Sequence, residues 1–513
     1  MPPPFHDGIG PGYRRPAALL QASLGWATCC MLVAMLRTTA GGLQALLPVT
    51  PEPVTLSQAN HLSRIHALLG SGSLRDKTPI RILIYGGEVI KIPWSDRLMQ
   101  ALQKRHPNCT LITTNLAVTG YQGSELLKLA NADIYPFYPD LVLLHAYGGG
   151  EPYRRLIREI RERTTADVLV LTDHPHVHPL VSLDEEISPA ILEQRAAERP
   201  FPEQYWGPWL NYCLLPRFAD EADACLATIR DGWKRHIRTH QLAISNLVSD
   251  NYVMPNEQGQ HLMIELLLPY FRPVSGMTRE DPWNSARVTT YSGEDELNWK
   301  RGKVRIEFTG NRVEVITDAA SDEPVSVLLD GKPPSEHPSL YGVTRCSLIP
   351  GSDWPALLNS QSAMPLQEEE WTASLNNVHS NRTYFTFKLA GSKTGPDGEG
   401  RSDREFRSRS GRVLIAPDDW EIMRFAAQNR RPVPESLEVR WKTVFRGRDE
   451  YKPTVSSTPG EFITTVLATG LPNQPHVLEL TTPSGRPSPI RAIRCYRPPL
   501  IPPSVSGKKR IPK

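Results

Sequence analysis

Three side chains able to do acid–base chemistry follow short apolar runs of the chain. Glu88 comes directly after one run and two glycines, while Asp173 and His174 come shortly after another. A carboxylate beside a histidine can act as a general base on water, and the same groups can bind a metal ion. Residues 173–178 also hold three histidines, which alternation in an extended segment would place on one face. The plainer interpretation of that stretch is a polar loop rich in turn residues.

Strands and helices alternate over the region that holds these side chains. The predicted strands are 80–85, 110–114, 140–145, 167–171 and 224–229, and the predicted helices are 94–106, 124–132, 153–163, 231–238 and 256–271. This alternation predicts a parallel sheet covered by helices on both faces. Ligands of such folds bind at the carboxyl ends of the strands. Those ends and the segments after them supply the predicted ligand-binding residues Gly87, Asn115, His145, Tyr147 and Asp173.

Four sequence blocks, in this order, resemble the SGNH hydrolase (GDSL esterase) family, and especially its secreted two-domain members with a C-terminal β-domain. The blocks are 85–88 (Tyr-Gly-Gly-Glu), 115–120 (Asn-Leu-Ala-Val-Thr-Gly), 139–144 (Pro-Asp-Leu-Val-Leu-Leu) and 254–259 (Met-Pro-Asn-Glu-Gln-Gly). The resemblance implies a flavodoxin-like three-layer α/β/α domain. It also implies an ancestral activity, the hydrolysis of acetyl esters on carbohydrates.

The resemblance also assigns the family's catalytic roles to positions of this chain. In that family a serine attacks the ester, a histidine takes its proton, an aspartate orients the histidine, and a glycine and an asparagine help stabilise the oxyanion. The positions of these five residues are held here by Glu88, Met254, Asn251, Gly120 and Gly149. Asp250 lies one residue from the aspartate position. Glu88 has no hydroxyl and Met254 accepts no proton, so only the glycine role is retained.

Two hypotheses about function follow from these substitutions. In the first, the chain has lost serine-esterase catalysis and keeps a ligand-binding or glycan-binding role. In the second, it remains an ester hydrolase that uses a displaced serine or a water molecule activated by Glu88 with His174. The candidates for displaced groups are Ser95, Ser124, His145, His174 and His261. A structural role is the alternative for His174, since secreted members of the family carry histidine at that place.

An insertion rich in proline, glutamate and aromatic residues separates the last two predicted strands. It covers residues 179–217 and includes Tyr205, Trp206 and Trp209. Long insertions of this kind are commonly functional lids. Its aromatic side chains either stack on sugar faces at the crevice or pack the loop against the sheet.

The second half of the chain has apolar residues at every second position. Val304, Ile306 and Phe308 alternate with charged residues, and residues 309–312 predict the turn of a hairpin. Many short strands divided by glycine and proline turns, with no helix of note, predict a jelly roll or β-sandwich over 283–500. The segment resembles modules attached to carbohydrate esterases of the same hydrolase group, so sugar binding by it is an analogy only.

The N-terminal segment has the parts of a secretory signal. A basic pair at 14–15 precedes a largely apolar stretch at 17–36, and small residues follow. An uncleaved membrane anchor is the alternative. Export to the periplasm, the cell surface or the medium is therefore expected. The predicted domains are a signal peptide or anchor at 1–45, a linker with an N-terminal helix at 46–74, an SGNH hydrolase-like domain at 75–275, a β-sandwich at 283–500 and a basic tail at 501–513.

The composition of the chain excludes several classes of protein. The 513 residues carry a formal net charge of only +3 and include 48 prolines, which argues against a polybasic nucleic-acid binder and against long helices. The seven cysteines form no C-x-x-C pair, so neither a metal site nor a cofactor is predicted. The expected partner is an acylated carbohydrate or another small ester ligand, with no nucleic acid and no membrane contact beyond the N-terminal segment.

Overall fold

The fold consists of an α/β unit followed by two β units. The computed structural model describes residues 46–73, 77–175, 188–198, 205–249, 254–278, 280–317, 319–362, 365–379, 383–434, 436–456 and 462–501. The predicted signal or anchor at 1–45 and nearly all of the basic tail lie outside these ranges. Within them, no helix has the length and apolar character needed to cross a membrane.

The α/β unit contains the predicted parallel sheet. Its strands are β1 (Thr78–Gly86), β2 (Cys109–Asn115), β3 (Leu141–His145), β4 (Asp167–Leu171) and β5 (Cys225–Ala227). All neighbours pair in parallel in the order β2-β1-β3-β4-β5, which is the flavodoxin-like order. β3 and β4 are buried along their whole length, as expected for strands covered on both faces. The predicted α/β fold class is confirmed.

Helices cover both faces of this sheet. They are α1 (Leu56–Asn60), α2 (Ser63–Leu69), α3 (Glu88–Lys91), α4 (Trp94–Arg105), α5 (Gly123–Phe137), α6 (Gly150–Arg163), α7 (Pro189–Ala196), α8 (Trp206–Trp209), α9 (Leu215–Glu221), α10 (Ile229–His240) and α11 (Glu257–Leu267). α5, α6 and α9 pack on one face, and α2, α4, α10 and α11 pack on the other. In α6, for example, Tyr153, Leu156, Ile157 and Ile160 are fully buried at helical spacing.

The β half consists of strands divided between two units. The strands are β6 (Val288–Ser292), β7 (Lys303–Thr317), β8 (Val325–Leu329), β9 (Tyr341–Val343), β10 (Gln361–Ser362), β11 (Glu369–Val378), β12 (Phe385–Gly391), β13 (Gly395–Arg401), β14 (Phe406–Arg407), β15 (Val413–Ile415), β16 (Glu438–Phe445), β17 (Glu450–Tyr451), β18 (Ile463–Thr481) and β19 (Ile490–Tyr496). Every pair is antiparallel. The predicted all-β second half is confirmed.

One β unit is a bent six-stranded sheet in the order β17-β8-β18-β7-β19-β6, with a core of its own. The prediction of a hairpin turn at residues 309–312 is wrong, because β7 runs through them unbroken. Gly310 has φ +158°, and a Cβ atom there would lie 2.2 Å from the Tyr496 carbonyl oxygen. The strand bends here instead of reversing, and β18 pairs with it on both sides of the bend.

The other β unit is formed by residues 341–445, between β8 and β17 of the bent sheet. A five-stranded sheet in the order β13-β12-β11-β16-β9 and a three-stranded sheet in the order β10-β15-β14 contribute to its core. We call it the inserted β unit. It includes the two-turn helix α13 (Ile422–Asn429). A shorter helix, α12 (Gly293–Glu296), belongs to the bent-sheet unit. The expectation of no helix of note is therefore wrong, because Phe425 and Ala426 bury one face of α13 in that core.

Buried polar contacts join the three units. Arg345 of the inserted unit makes two hydrogen bonds to Asp133 of α5, at 3.0 and 2.7 Å. Tyr138 donates to Asn311 of the bent sheet at 2.8 Å. Arg287 pairs with Asp167 at the start of β4, and both side chains are buried. These contacts fix the β units against the sheet that carries the candidate site.

Candidate functional site

Glu88 lies where β1 ends and α3 begins. Gly87 donates its N–H to the His145 carbonyl at 2.9 Å, which draws the ends of β1 and β3 together. The half-buried Glu88 carboxylate lies close enough to Gly120, the residue at the family's oxyanion glycine, for the Gly120 amide to act electrostatically on it. Burial raises the pKa of Glu88, while the Gly120 amide and the nearby His145 oppose that rise. The amide that would stabilise an oxyanion therefore has a carboxylate of the same protein beside it.

The turn that carries Gly120 is held by the inserted β unit. Thr119 donates its N–H to Asp353 at 2.8 Å, and the Trp354 indole donates to the Thr119 carbonyl at 2.8 Å. Asp353 also pairs with Lys91 of α3. The two β-unit residues thus reach the two segments that flank Glu88. They are more than 230 residues away in sequence, and no local motif marks them.

His145 and Asp173 form a buried pair at the ends of β3 and β4. The His145 Nε2 and Asp173 Oδ1 atoms are 3.0 Å apart in a bent contact, and their side chains are 1% and 3% exposed. Asn211 holds the aspartate from both sides, accepting its N–H at 2.7 Å and donating to Oδ2 at 3.0 Å. Although burial favours the neutral acid, His145 and Asn211 hold the pKa of Asp173 below its usual value. Asp173 therefore remains a carboxylate that orients His145.

His174 takes a different position from its neighbour in sequence. Its ring is fully buried, and its centroid lies 4.9 Å from that of Trp233, in the core on the α10 side of the sheet. The imidazole that acts electrostatically on Glu88 is His145. The other two histidines of the 173–178 run, at positions 176 and 178, lie outside the described residues. The pairing of Glu88 with His174 is thus replaced, in the described geometry, by Glu88 with His145.

The remaining catalytic positions are spread over several segments. Asp250 and Asn251 lie outside the described residues, and the Met254 carbonyl accepts the Ser249 N–H at 2.7 Å. Ser95 donates to the Ile92 carbonyl at 3.2 Å and accepts from Asn115 at 3.4 Å. Ser124 donates to Glu125 at 3.0 Å, and His261 lies near His236. In the described part of the chain, no serine hydrogen-bonds to His145.

The predicted insertion packs its aromatic side chains against the sheet domain. The Trp206 indole donates to the Tyr147 carbonyl at 3.3 Å, and Trp209 is 9% exposed within the core. The Tyr147 ring in turn meets His145 edge-on at a centroid distance of 5.1 Å. Of the two roles predicted for these aromatics, packing is the one that the contacts of Trp206 and Trp209 support.

Gly149, at the family's asparagine position, has no room for a side chain. Its φ is +111°, and a Cβ atom would lie 2.7 Å from the Gly123 nitrogen. Gly150 next to it has φ +42° and no atom within 4 Å of an added Cβ. We expect Gly149→Ala to lower the free energy of unfolding by about 2–4 kcal/mol and Gly150→Ala by about 1–2 kcal/mol, because only the first adds a clash to the backbone strain. Equal losses in urea denaturation would contradict this packing.

A buried carboxyl, Glu421, lies in the interface behind the same turn. It faces Tyr121, Arg424, Glu125 and Lys128, and Arg424 also bonds Glu125 at 2.6 Å. Burial raises the pKa of Glu421 to about 7, with Glu125 adding to the rise and Arg424 opposing it. No local sequence pattern indicates this group, because its burial depends on contacts across two units.

Glu421 gives the stability of the protein a pH dependence of definite sign. Its folded-state pKa lies above its unfolded value, so its stabilising effect is full below about pH 4.5 and is lost as the pH rises through about 7. Glu421→Gln should therefore be more stable than wild type at pH 8, by on the order of 1–3 kcal/mol, with the advantage gone at pH 4.5. Chemical denaturation at both pH values measures it. A constant difference would show that Glu421 does not titrate in this range.

No family model matches the chain, and no curated protein does. Among solved structures, a two-domain esterase active on acetylated mannans is 9% identical, covering 87% of this chain and 96% of its own, with a TM-score of 0.30. The structure of the same esterase co-crystallized with mannopentaose is 8% identical, covering 82% of this chain and 91% of its own, with a TM-score of 0.28. An acetylxylan esterase from Geobacillus stearothermophilus is 12% identical over 37% of this chain and 94% of its own, with a TM-score of 0.29. Likenesses at this level decide nothing about activity, and the resemblance to SGNH hydrolases stays a prediction.

Proposed function

We propose that this protein binds an acylated carbohydrate in the crevice around Glu88 and has no serine-dependent esterase activity. The observation that carries the proposal is the position of the Glu88 carboxylate beside the Gly120 amide. An oxyanion needs free, preorganised donors at the place where its charge develops. Here a carboxylate lies beside that donor, and its negative charge would repel an oxyanion.

The ligand class follows from the resemblance together with the exposed groups of the crevice. A carboxylate accepts hydrogen bonds from sugar hydroxyls, and Gly120, Thr119 and Asn115 are exposed beside Glu88. The resemblance to esterases of acetylated carbohydrates supports an acylated sugar as the ligand. Export, as predicted from residues 1–45, would bring the protein to extracellular polysaccharide, and fractionation of cells producing the full chain tests that part.

Two measurements on the purified chain test this function. The first is turnover of a chromogenic acetyl ester, with and without a serine-directed phosphonate. The second is titration with acetylated and deacetylated mannan and xylan oligosaccharides. We expect binding without turnover, weakened in Glu88→Gln and unchanged in Glu399→Gln, an exposed carboxylate of the inserted β unit. Robust turnover that the phosphonate abolishes would contradict the proposal.

A second candidate function is ester hydrolysis by a water molecule that Glu88 activates. The buried Asp173–His145 pair favours it, because an aspartate that orients a histidine is the arrangement that supports a general base. In this case the turnover survives the phosphonate and fails in both Glu88→Gln and His145→Gln. Turnover that persists in Glu88→Gln would rule this route out.

A further inference from the structure

A cavity of about 540 Å³ lies where the α/β unit meets the two β units. It is lined by the C-terminal half of α5, the end of α6, residues 338–343 and 359–362, and the bend of β18 at 469–473. Its size is that of a pocket for a small organic ligand. Tyr135 lines it and lies 12 residues along α5 from Gly123, which is roughly 18 Å from the crevice end of that helix.

Two guanidinium groups line this cavity without a carboxylate partner. Arg446 donates to the Asn131 carbonyl at 3.2 Å and the Val343 carbonyl at 3.4 Å, and its buried Nε has no partner in the described part of the chain. Arg163 donates to the Asn131 side chain at 2.9 Å and lies 3.6 Å from the centre of the Tyr135 ring. Among the described residues, no carboxylate forms an ion pair with either arginine.

The one acidic side chain of the lining does not offset this charge. Glu162 is bound at 2.6 Å by Arg158, its neighbour on α6. Burial lowers the pKa of Arg446 to about 10, and repulsion by the nearby Arg163 guanidinium adds to that effect as the smaller cause. An anion in the cavity would relieve this repulsion and satisfy the free Nε.

The rest of the lining suits a hydroxylated molecule. Asn473 donates its amide to the carbonyls of Pro498 at 3.1 Å and Leu500 at 3.2 Å, which fixes the orientation of the side chain. Its buried Oδ1 is left without a partner in the described residues and is ready to accept a hydroxyl. Ser339, Ser360 and Gln361 add further polar groups.

We propose that this cavity is a binding site for an anionic sugar, with its acidic group between Arg446 and Arg163 and a hydroxyl group at Asn473. A carboxylate and a phosphate monoester both match a guanidinium pair, and the titrations below distinguish the two acids. The site is separate from Glu88 and does not depend on the function proposed for the crevice.

Calorimetric titration of the full chain with glucuronate, glucose 6-phosphate and glucose tests this site. We expect at least one of the two acids to bind and glucose to bind at least about tenfold more weakly, because the acidic group supplies the charge-assisted contacts. The acid that binds more tightly identifies the acid type. Binding should weaken with added salt. Equal binding of glucose, or binding of neither acid, would overturn the proposal.

Variants locate the binding. Arg446→Gln and Arg163→Gln should each weaken binding of the acid by about tenfold or more, whereas Arg440→Gln, an exposed arginine on β16, should leave it unchanged. Each of the two cavity variants is a separate test of the site, so if one fails to fold the other still decides. The melting temperature of each variant shows whether it is folded. Glu88→Gln should bind the acid normally. If both cavity variants bind like wild type, the acid binds elsewhere and the proposal fails.

Discussion

Replacing Asp167 by asparagine is expected to lower the free energy of unfolding by about 3–5 kcal/mol. Asp167 is fully buried at the start of β4. It pairs with Arg287 of the bent-sheet unit, lies 3.5 Å from Arg161 of α6, and accepts the N–H of Ile65 at 2.9 Å. Asparagine keeps the shape but removes the charge, so a buried guanidinium loses its counterion.

The stability loss of this variant is measured by urea denaturation followed by fluorescence. Glu307→Gln is a matched control, because Glu307 pairs with Arg305 on the surface and its side chain is 70% exposed. The control should change the free energy of unfolding by less than about 0.5 kcal/mol. A small loss in Asp167→Asn would mean that the Arg287 contact contributes little to holding the bent sheet on the α/β unit.

The second large effect is expected for Trp354→Ala, at about 3–5 kcal/mol of the free energy of unfolding. The Trp354 side chain is 5% exposed, and its ring packs edge-on against Tyr121 at 5.0 Å and Phe425 at 5.4 Å. The Arg424 guanidinium lies 4.7 Å from the centre of the same ring. The alanine variant leaves a cavity in the contact between the inserted unit and the turn that carries Gly120.

Trp354→Phe separates the two contributions of this side chain. Phenylalanine keeps most of the ring packing but loses the hydrogen bond to the Thr119 carbonyl, which contributes about 1 kcal/mol. The alanine variant should also lower the pKa of Glu88 toward its ordinary value, because more water reaches the carboxylate. A titration of Glu88 that is unchanged in Trp354→Ala would show that the inserted unit does not cover the crevice.

The sequence predicts the α/β half well because its signals are local. Short apolar runs such as 141–145 end at polar or glycine-rich turns, and the buried strands lie there to within a few residues. The β half is harder, since period two marks strands but not their partners. Residues 309–312 have the composition of a turn, yet residues of β18 more than 150 positions later pair on both sides of them and keep β7 continuous.

The residues of the candidate site also divide into those that local sequence signals predict and those that depend on contacts between distant segments. Glu88, His145 and Asp173 are predicted because they follow strands whose carboxyl ends meet at one edge of a sheet. The choice of His145 rather than His174 is not predicted, because His145 ends β3 whereas His174 lies past the end of β4 with its ring beside Trp233. Asp353 and Trp354 depend on the packing of another unit, and no pattern within the first 275 residues indicates them.

The insertion of one β unit between β8 and β17 also sets the order in which the chain can fold. Among the strands of the described residues, β6 pairs with β19 alone and β7 with β18 and β19, so neither has a strand partner there before residue 463 is made. At ribosomal rates of roughly 5–20 residues per second, β7 waits about 7–30 s for its partner. During that time its alternating apolar face is an unpaired edge open to wrong pairing. We therefore expect the α/β unit and the inserted unit to complete first and the bent sheet to close last.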